Sequence, residues 1–146
     1  MTNPDNAQPQ KEQNGNHNDG PRSPEPPFPP QGQPDEDRTP ARIARIRELN
    51  DLLRTTQRGG MVLVTDGLAA LGSEARAILE AVATFDDFNP DNDPWGEHDC
   101  ASLEVNGHRI IWKIDYFDRS RRIHSPDPAD PKVTVRVLTV MLASEY

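Results

Sequence analysis

The chain has 146 residues, enough for one domain plus some additional chain, and its formal net charge of −8 opposes a sequence-independent hold on nucleic acid. Hydrophobic content is only 34%, low for a fully globular chain, and the single cysteine, Cys100, excludes an intrachain disulfide or a cysteine-rich zinc site. No apolar run approaches the ~18 residues of a membrane-spanning helix and no basic-then-apolar leader is present, so a cytoplasmic protein without membrane contact is expected.

The low apolar content is concentrated at one end. After Met1, residues 2–38 hold Phe28 as their one large apolar side chain, among Asn, Gln, Asp, Glu, Gly and Pro. Such a segment cannot bury enough surface to offset ordering entropy of about 1–2 kcal/mol per residue. Residues 1–38 are therefore read as a disordered tail, in which Ser23-Pro24-Glu25-Pro26-Pro27-Phe28-Pro29-Pro30 favours polyproline II and could dock on an aromatic groove. The bland reading of the tail is a solubilising linker.

Residues 39–146 read as a single domain. Thr39-Pro40 has the chemistry of a helix start, and Ile43, Ile46, Leu49 and Leu53 follow at helical spacing towards Thr55. Met61 to Thr65 is a short apolar, partly β-branched run and reads as a buried strand, broken by Asp66-Gly67. Ser73 opens a second helix, with Ala75, Ile78, Leu79, Val82 and Phe85 on one face. Asn106-Gly107, between Ala101–Val105 and His108–Phe117, signals a two-residue hairpin turn. That turn pairs Glu104 with Arg109, Leu103 with Ile110 and Ala101 with Trp112. Period-2 alternation then places Leu103, Val105, Ile110, Trp112, Ile114 and Tyr116 on the core face. After a proline-stiffened loop from Ser125 to Pro131, the apolar spacing of Val133, Val137, Val140 and Met141 predicts a C-terminal helix. The expected fold is α+β: a small antiparallel or mixed three-stranded sheet with three helices, in the order α-β-α-β-β-α.

The densest chemistry lies between Phe85 and Asp99. Asp86, Asp87, Asp91, Asp93, Glu97 and Asp99 occur there with no Lys or Arg, so together with the tail this loop accounts for the net negative charge. Extending the hairpin register brings His98 opposite Asp115, with Lys113 two residues along the same face. This makes His98, Asp115 and Lys113 the candidate acid–base residues. No cofactor is predicted; were a divalent ion such as Mg²⁺ or Mn²⁺ held, Asp91, Asp93, Glu97 and His98 are its candidate ligands. Neither Asp91 nor Asp87 starts a valid calcium-loop template. The same extension points Asp99 at the core beside Ile114, which argues that pairing stops near Cys100. The competing readings are turn chemistry in Pro90-Asp91-Asn92-Asp93-Pro94, or a partner-binding surface made of Trp95, Asp91, Asn92, Asp93 and Glu97. Arg119, Arg121, Arg122 and His124 form a small basic cluster that reads as a solvated loop. Phosphate-loop, dinucleotide and nucleophile-elbow motifs are all absent from the sequence.

Three stretches carry a resemblance: Arg45-Ile46-Arg47-Glu48-Leu49-Asn50-Asp51-Leu52-Leu53-Arg54, the loop from Phe85 to Asp99, and Trp112-Lys113-Ile114-Asp115-Tyr116-Phe117-Asp118. With Ser125 to Pro131 and Val137 to Tyr146, they resemble an uncharacterised bacterial family, domain-of-unknown-function family 3768, over residues 42–146. The resemblance implies one domain and a bacterial cytoplasm, often with a plasmid-borne gene, and carries no activity. The expected function is a non-enzymatic protein-interaction or regulatory module, such as an accessory factor of a mobile element, whose partner is another protein. The alternative is a small metal-dependent hydrolase or nuclease using Asp91, Asp93, Glu97, His98 and Asp115. The sequence assigns no oligomeric state.

Overall fold

A computed structural model describes residues 38–146. The expected tail lies outside the described residues, apart from Arg38.

Helix α1, Pro40–Thr56, begins as its first residues dictate. The Thr39 hydroxyl accepts the Arg42 N–H at 3.3 Å, and Pro40 occupies the first helical position, where no N–H is needed. Strand β1, Met61–Val64, is followed by a single-turn helix α2, Asp66–Ala69, which the sequence did not announce. Helix α3, Ser73–Thr84, starts after Gly72 rather than from a Ser73 cap. Strands β2, Cys100–Val105, and β3, His108–Phe117, form the expected hairpin in the expected register: Glu104 faces Arg109, Leu103 faces Ile110 and Ala101 faces Trp112. Asn106 and Gly107 both have positive φ, 51° and 82°, as a type I′ turn requires.

The C-terminal segment departs from expectation. Val135–Leu142 is a strand, β4, not a helix, and it lies inside a four-stranded mixed sheet of order β1-β4-β3-β2. It runs parallel to β1 and antiparallel to β3. Its apolar spacing misleads because Val137, Leu138, Val140 and Met141 of this interior strand are buried on both faces, and such a near-continuous apolar run matches a helical period as well as a strand's. The β-branched content of Val133, Thr134, Val135, Val137, Thr139 and Val140 is the cue for extended backbone. A 3₁₀ turn, Ala143–Glu145, follows, and Glu145 accepts hydrogen bonds from Thr65 Oγ1 (2.7 Å) and the Gly67 N–H (3.1 Å).

The helices pack on one face of the sheet. Ile46 and Leu53 of α1, Leu68 of α2, and Ile78 and Val82 of α3 join Ile110, Trp112, Ile114, Tyr116, Leu138 and Val140 in one buried core. Each such side chain contributes roughly 1.5–3 kcal/mol by leaving water. Among the described residues the opposite face holds the small cluster Cys100, Ile111 and Met141 with Ala143, and buried Val137, while Met61 and Leu63 are 37% and 47% exposed.

The candidate functional site

The loop between α3 and β2 is built by turn chemistry. The Asn89 side-chain oxygen accepts the N–H groups of Asp91 (2.9 Å) and Asn92 (3.1 Å). The Asn92 side chain answers by accepting the Asn89 N–H (2.9 Å) and donating to the Asp87 carbonyl (2.7 Å). Asn92, a candidate binding residue, is thus a structural brace. Asp91 is exposed at the tip.

Asp86 and Asp87 are exposed as well, and only the last three acids of the loop turn inward. Asp93, Glu97 and Asp99 are buried, Glu97 to 2% exposure. Glu97 accepts the Tyr116 hydroxyl at 3.1 Å and lies 3.6 Å from Arg38. Asn50 of α1 donates to the Glu97 carbonyl (3.0 Å) and to the Tyr116 oxygen (2.6 Å), and accepts from Arg136 Nε of β4 (2.9 Å). Arg136 also donates to the Pro128 carbonyl and lies over the Tyr116 ring. Burial pushes the carboxyls of Asp93 and Glu97 above the usual range. It raises Asp99 to about 7, with the charges of Glu97 and Asp93 adding to the shift. Burial likewise holds the Tyr116 hydroxyl and the Cys100 thiol in their neutral forms, raising both well above their ordinary values.

His98 does not meet Asp115. Strand pairing ends at Cys100, with the Asp99 carbonyl accepting the Ile114 N–H at 2.7 Å as the last rung. His98 itself adopts a left-handed backbone, φ 54°, which costs of order 1 kcal/mol and swings its side chain to the helix side of the sheet. There Nδ1 lies 2.9 Å from Asp51 Oδ1 and Nε2 lies 3.6 Å from Asp93 Oδ2, while the ring stacks on Phe88 at 3.7 Å. Asp93 also accepts the His98 backbone N–H at 3.2 Å. Asp115 and Lys113 pair with each other at 2.9 Å on the far face of the sheet. The proposed acid–base grouping of His98, Asp115 and Lys113 therefore does not form. Neither does the metal-ligand set. Among the described residues no three His, Cys, Asp or Glu side chains are grouped to hold a metal ion, because Asp93 and Glu97 are spent on the chain's own donors and Asp91 points outward.

What does form is a cleft of ≈ 540 Å³ between the first turns of α1 and this loop. Pro40, Ile43, Phe88, Pro90, Pro94 and Trp95 make its apolar walls, and Arg47, Asn89, Asp93 and His98 supply polar edges. Gly96 closes one side at φ 70°, a conformation suited to glycine, and its carbonyl accepts Arg47 Nη1 at 3.2 Å. Trp95 is half-buried, with the Arg38 guanidinium 3.7 Å above its ring. The basic cluster at Arg119, Arg121 and Arg122 is an exposed turn organised by Asp118, and none of the three lines the cleft.

Sequence reasoning missed Asn50, Asp51, Arg54, Tyr116 and Arg136 as builders of this site. Its available signal was polarity on apolar faces. Asn50 and Arg54 share the stripe of Ile46 and Leu53 on α1, and Arg136 interrupts the Val-rich run of β4.

A family model described as a protein of unknown function, DUF3768, matches residues 64–145. The chain belongs to the DUF3768 family. No curated protein and no solved structure matches it. The match begins at the end of β1 and runs through the whole acidic loop, the hairpin and β4, so the loop side of the cleft lies within the DUF3768 region while the α1 side precedes it. No helix among the described residues of this DUF3768 protein is long and apolar enough to cross a membrane.

Proposed function

We propose that this DUF3768 domain is a non-enzymatic protein-interaction module with a regulatory or accessory role, and that its docking surface is the cleft between α1 and the loop Phe85–Asp99. The carrying observation is the lining. Four prolines and aromatics of the loop, with Pro40 and Ile43 of α1, surround a few polar edges; among the described residues no Ser, Thr, Cys, Lys or Tyr side chain lines the cleft, and the His98 and Asp93 at its edge are engaged with Asp51 and with each other. Such a surface suits an extended peptide segment packed on aromatic and proline rings. The buried acids support the reading from below: Glu97 braces the loop that forms one wall, and Asp93 reaches the cleft only at its edge.

Photo-crosslinking residues placed at Ile43 and Pro90 in the full chain, in its native cell, test this. The expected result is a crosslink to the same protein from both positions, lost on Ile43→Lys in the Pro90-labelled chain and not seen from a probe at Ser102 on the far face. Crosslinks no stronger at Ile43 and Pro90 than at Ser102 would overturn it.

A further inference from the structure

The chain enters the domain at the rim of the cleft. Arg38 stacks 3.7 Å over Trp95 and lies 3.6 Å from Glu97, and Pro40, two residues on, is itself part of the wall. Upstream lies Pro24-Glu25-Pro26-Pro27-Phe28-Pro29-Pro30, which holds the tail's one large apolar side chain after Met1. We propose that this segment docks in the cleft of its own chain and competes there with a protein partner. The inference rests on reading the cleft as a docking surface.

Length permits it. Residues 31–37 connect the segment to Arg38, and seven residues reach up to about 25 Å when extended, enough to bring any part of the segment to a cleft beginning at Trp95. Gly32 and Pro34 in that connection suit a reversal of direction. So short a tether holds the segment at an effective concentration in the millimolar range, so modest affinity suffices. Chemistry favours it as well. Proline-rich chain loses little entropy on binding and packs on aromatic walls, here Trp95 and Phe88. Phe28 supplies an anchor ring, and Glu25 matches the Arg47 edge of the cleft.

The test uses the ¹⁵N-labelled full chain and Phe28→Ala. The chain has two tryptophans, so Trp95→Phe assigns their indole N–H signals. If the segment is docked, Phe28→Ala shifts the Trp95 indole and Gly96 amide signals and leaves the Trp112 indole in place. A synthetic peptide of residues 22–32, added to the Phe28→Ala chain, returns the signals towards the wild-type positions. In the wild-type chain these signals hold their positions on dilution. Unchanged Trp95 and Gly96 signals in Phe28→Ala overturn the proposal. So does a concentration-dependent signal, which assigns the segment to a neighbouring copy. Partner crosslinks at Ile43 with no Phe28 effect leave the interaction reading standing without this one. A Phe28 effect with no partner crosslink, even in Phe28→Ala, does the reverse.

Discussion

Asp99 carries one of the domain's larger pH liabilities. Its carboxyl is buried beside Glu97 and Asp93 and titrates near 7 in the folded chain, against 3.8 for a free aspartate. Between those values the native state keeps a proton that the unfolded chain has released. Stability from this group is therefore complete below about pH 4 and is lost as pH rises through about 7. At about 1.4 kcal/mol per unit, the loss is of order 4 kcal/mol. Asp93 and Glu97, also raised by burial, act in the same direction. Urea melts at pH 5 and pH 8 should show the wild-type chain weaker at pH 8, and Asp99→Asn should flatten the difference by a few kcal/mol. An unchanged pH slope in Asp99→Asn would refute the assignment. His98 shows the same economy of local geometry: one left-handed residue takes a side chain that period-2 logic sends to one face and delivers it to the other. A single sequence could suggest that pairing stops near Cys100, but not which way the next residue turns, because that is decided by Asp51, Asp93 and Phe88 waiting on the helix side.

At the scale of elements, two junctions matter, one between α1 and α3 and one between the turn before β1 and β4. Arg54 of α1 is a side-chain cap for the C-terminus of α3. Its Nη1 donates to the carbonyls of Val82 (3.0 Å), Ala83 (3.2 Å) and Phe85 (2.8 Å), and its Nη2 to Asp51 (3.0 Å). A guanidinium cation at a helix C-terminus satisfies carbonyls that have no intrahelical donor and complements the helix dipole. Arg54→Ala should cost about 3–5 kcal/mol by chemical denaturation, since it strips a buried network of its donor, and Arg54→Lys should recover only part because an ammonium cannot reproduce the fork. Equal stability of the alanine variant and wild type would refute the cap. The second junction is Gly60, before β1. A Cβ there would sit 2.5 Å from the Arg136 carbonyl oxygen and 2.9 Å from Leu53. Gly60→Ala should therefore destabilise by about 1–3 kcal/mol through forced separation of β1 from β4, read as a lower urea midpoint. In the sequence Gly60 is only a turn residue. Its close approach to β4 exists because β1 and β4 are parallel neighbours, 70 or more residues apart in the chain.

Across the whole molecule, one polar chain joins every layer: Arg38 and Glu97 at the loop, Tyr116 on β3, Asn50 on α1 and Arg136 on β4. Removing its central hydroxyl in Tyr116→Phe should cost about 1–3 kcal/mol, because Glu97 and Asn50 are left buried with a missing partner. Hydrogen exchange should quicken at Glu97 and His98 more than in the β2–β3 ladder. A uniform increase would mean that the network does not specifically hold the loop. The amino-acid sequence by itself determined the features that are local. The hairpin register follows from a two-residue turn, the two long helices from 3.6-residue spacing with a Thr39 cap on the first, and the position of the acidic loop from prolines and Asx residues. What only the tertiary structure decided is long-range. β4 is a strand because β1 and β3, both distant in the chain, flank it, and its sequence lacks clean alternation because Val137 and Met141 are buried on the face away from the helices as Leu138 and Val140 are on the face towards them. Asp93 and Glu97 of the loop turn inward because Tyr116, Arg38 and the His98 backbone offer them donors there. Half of the charge that reads as a surface in one dimension, Asp93, Glu97 and Asp99, is buried at or behind the cleft in three.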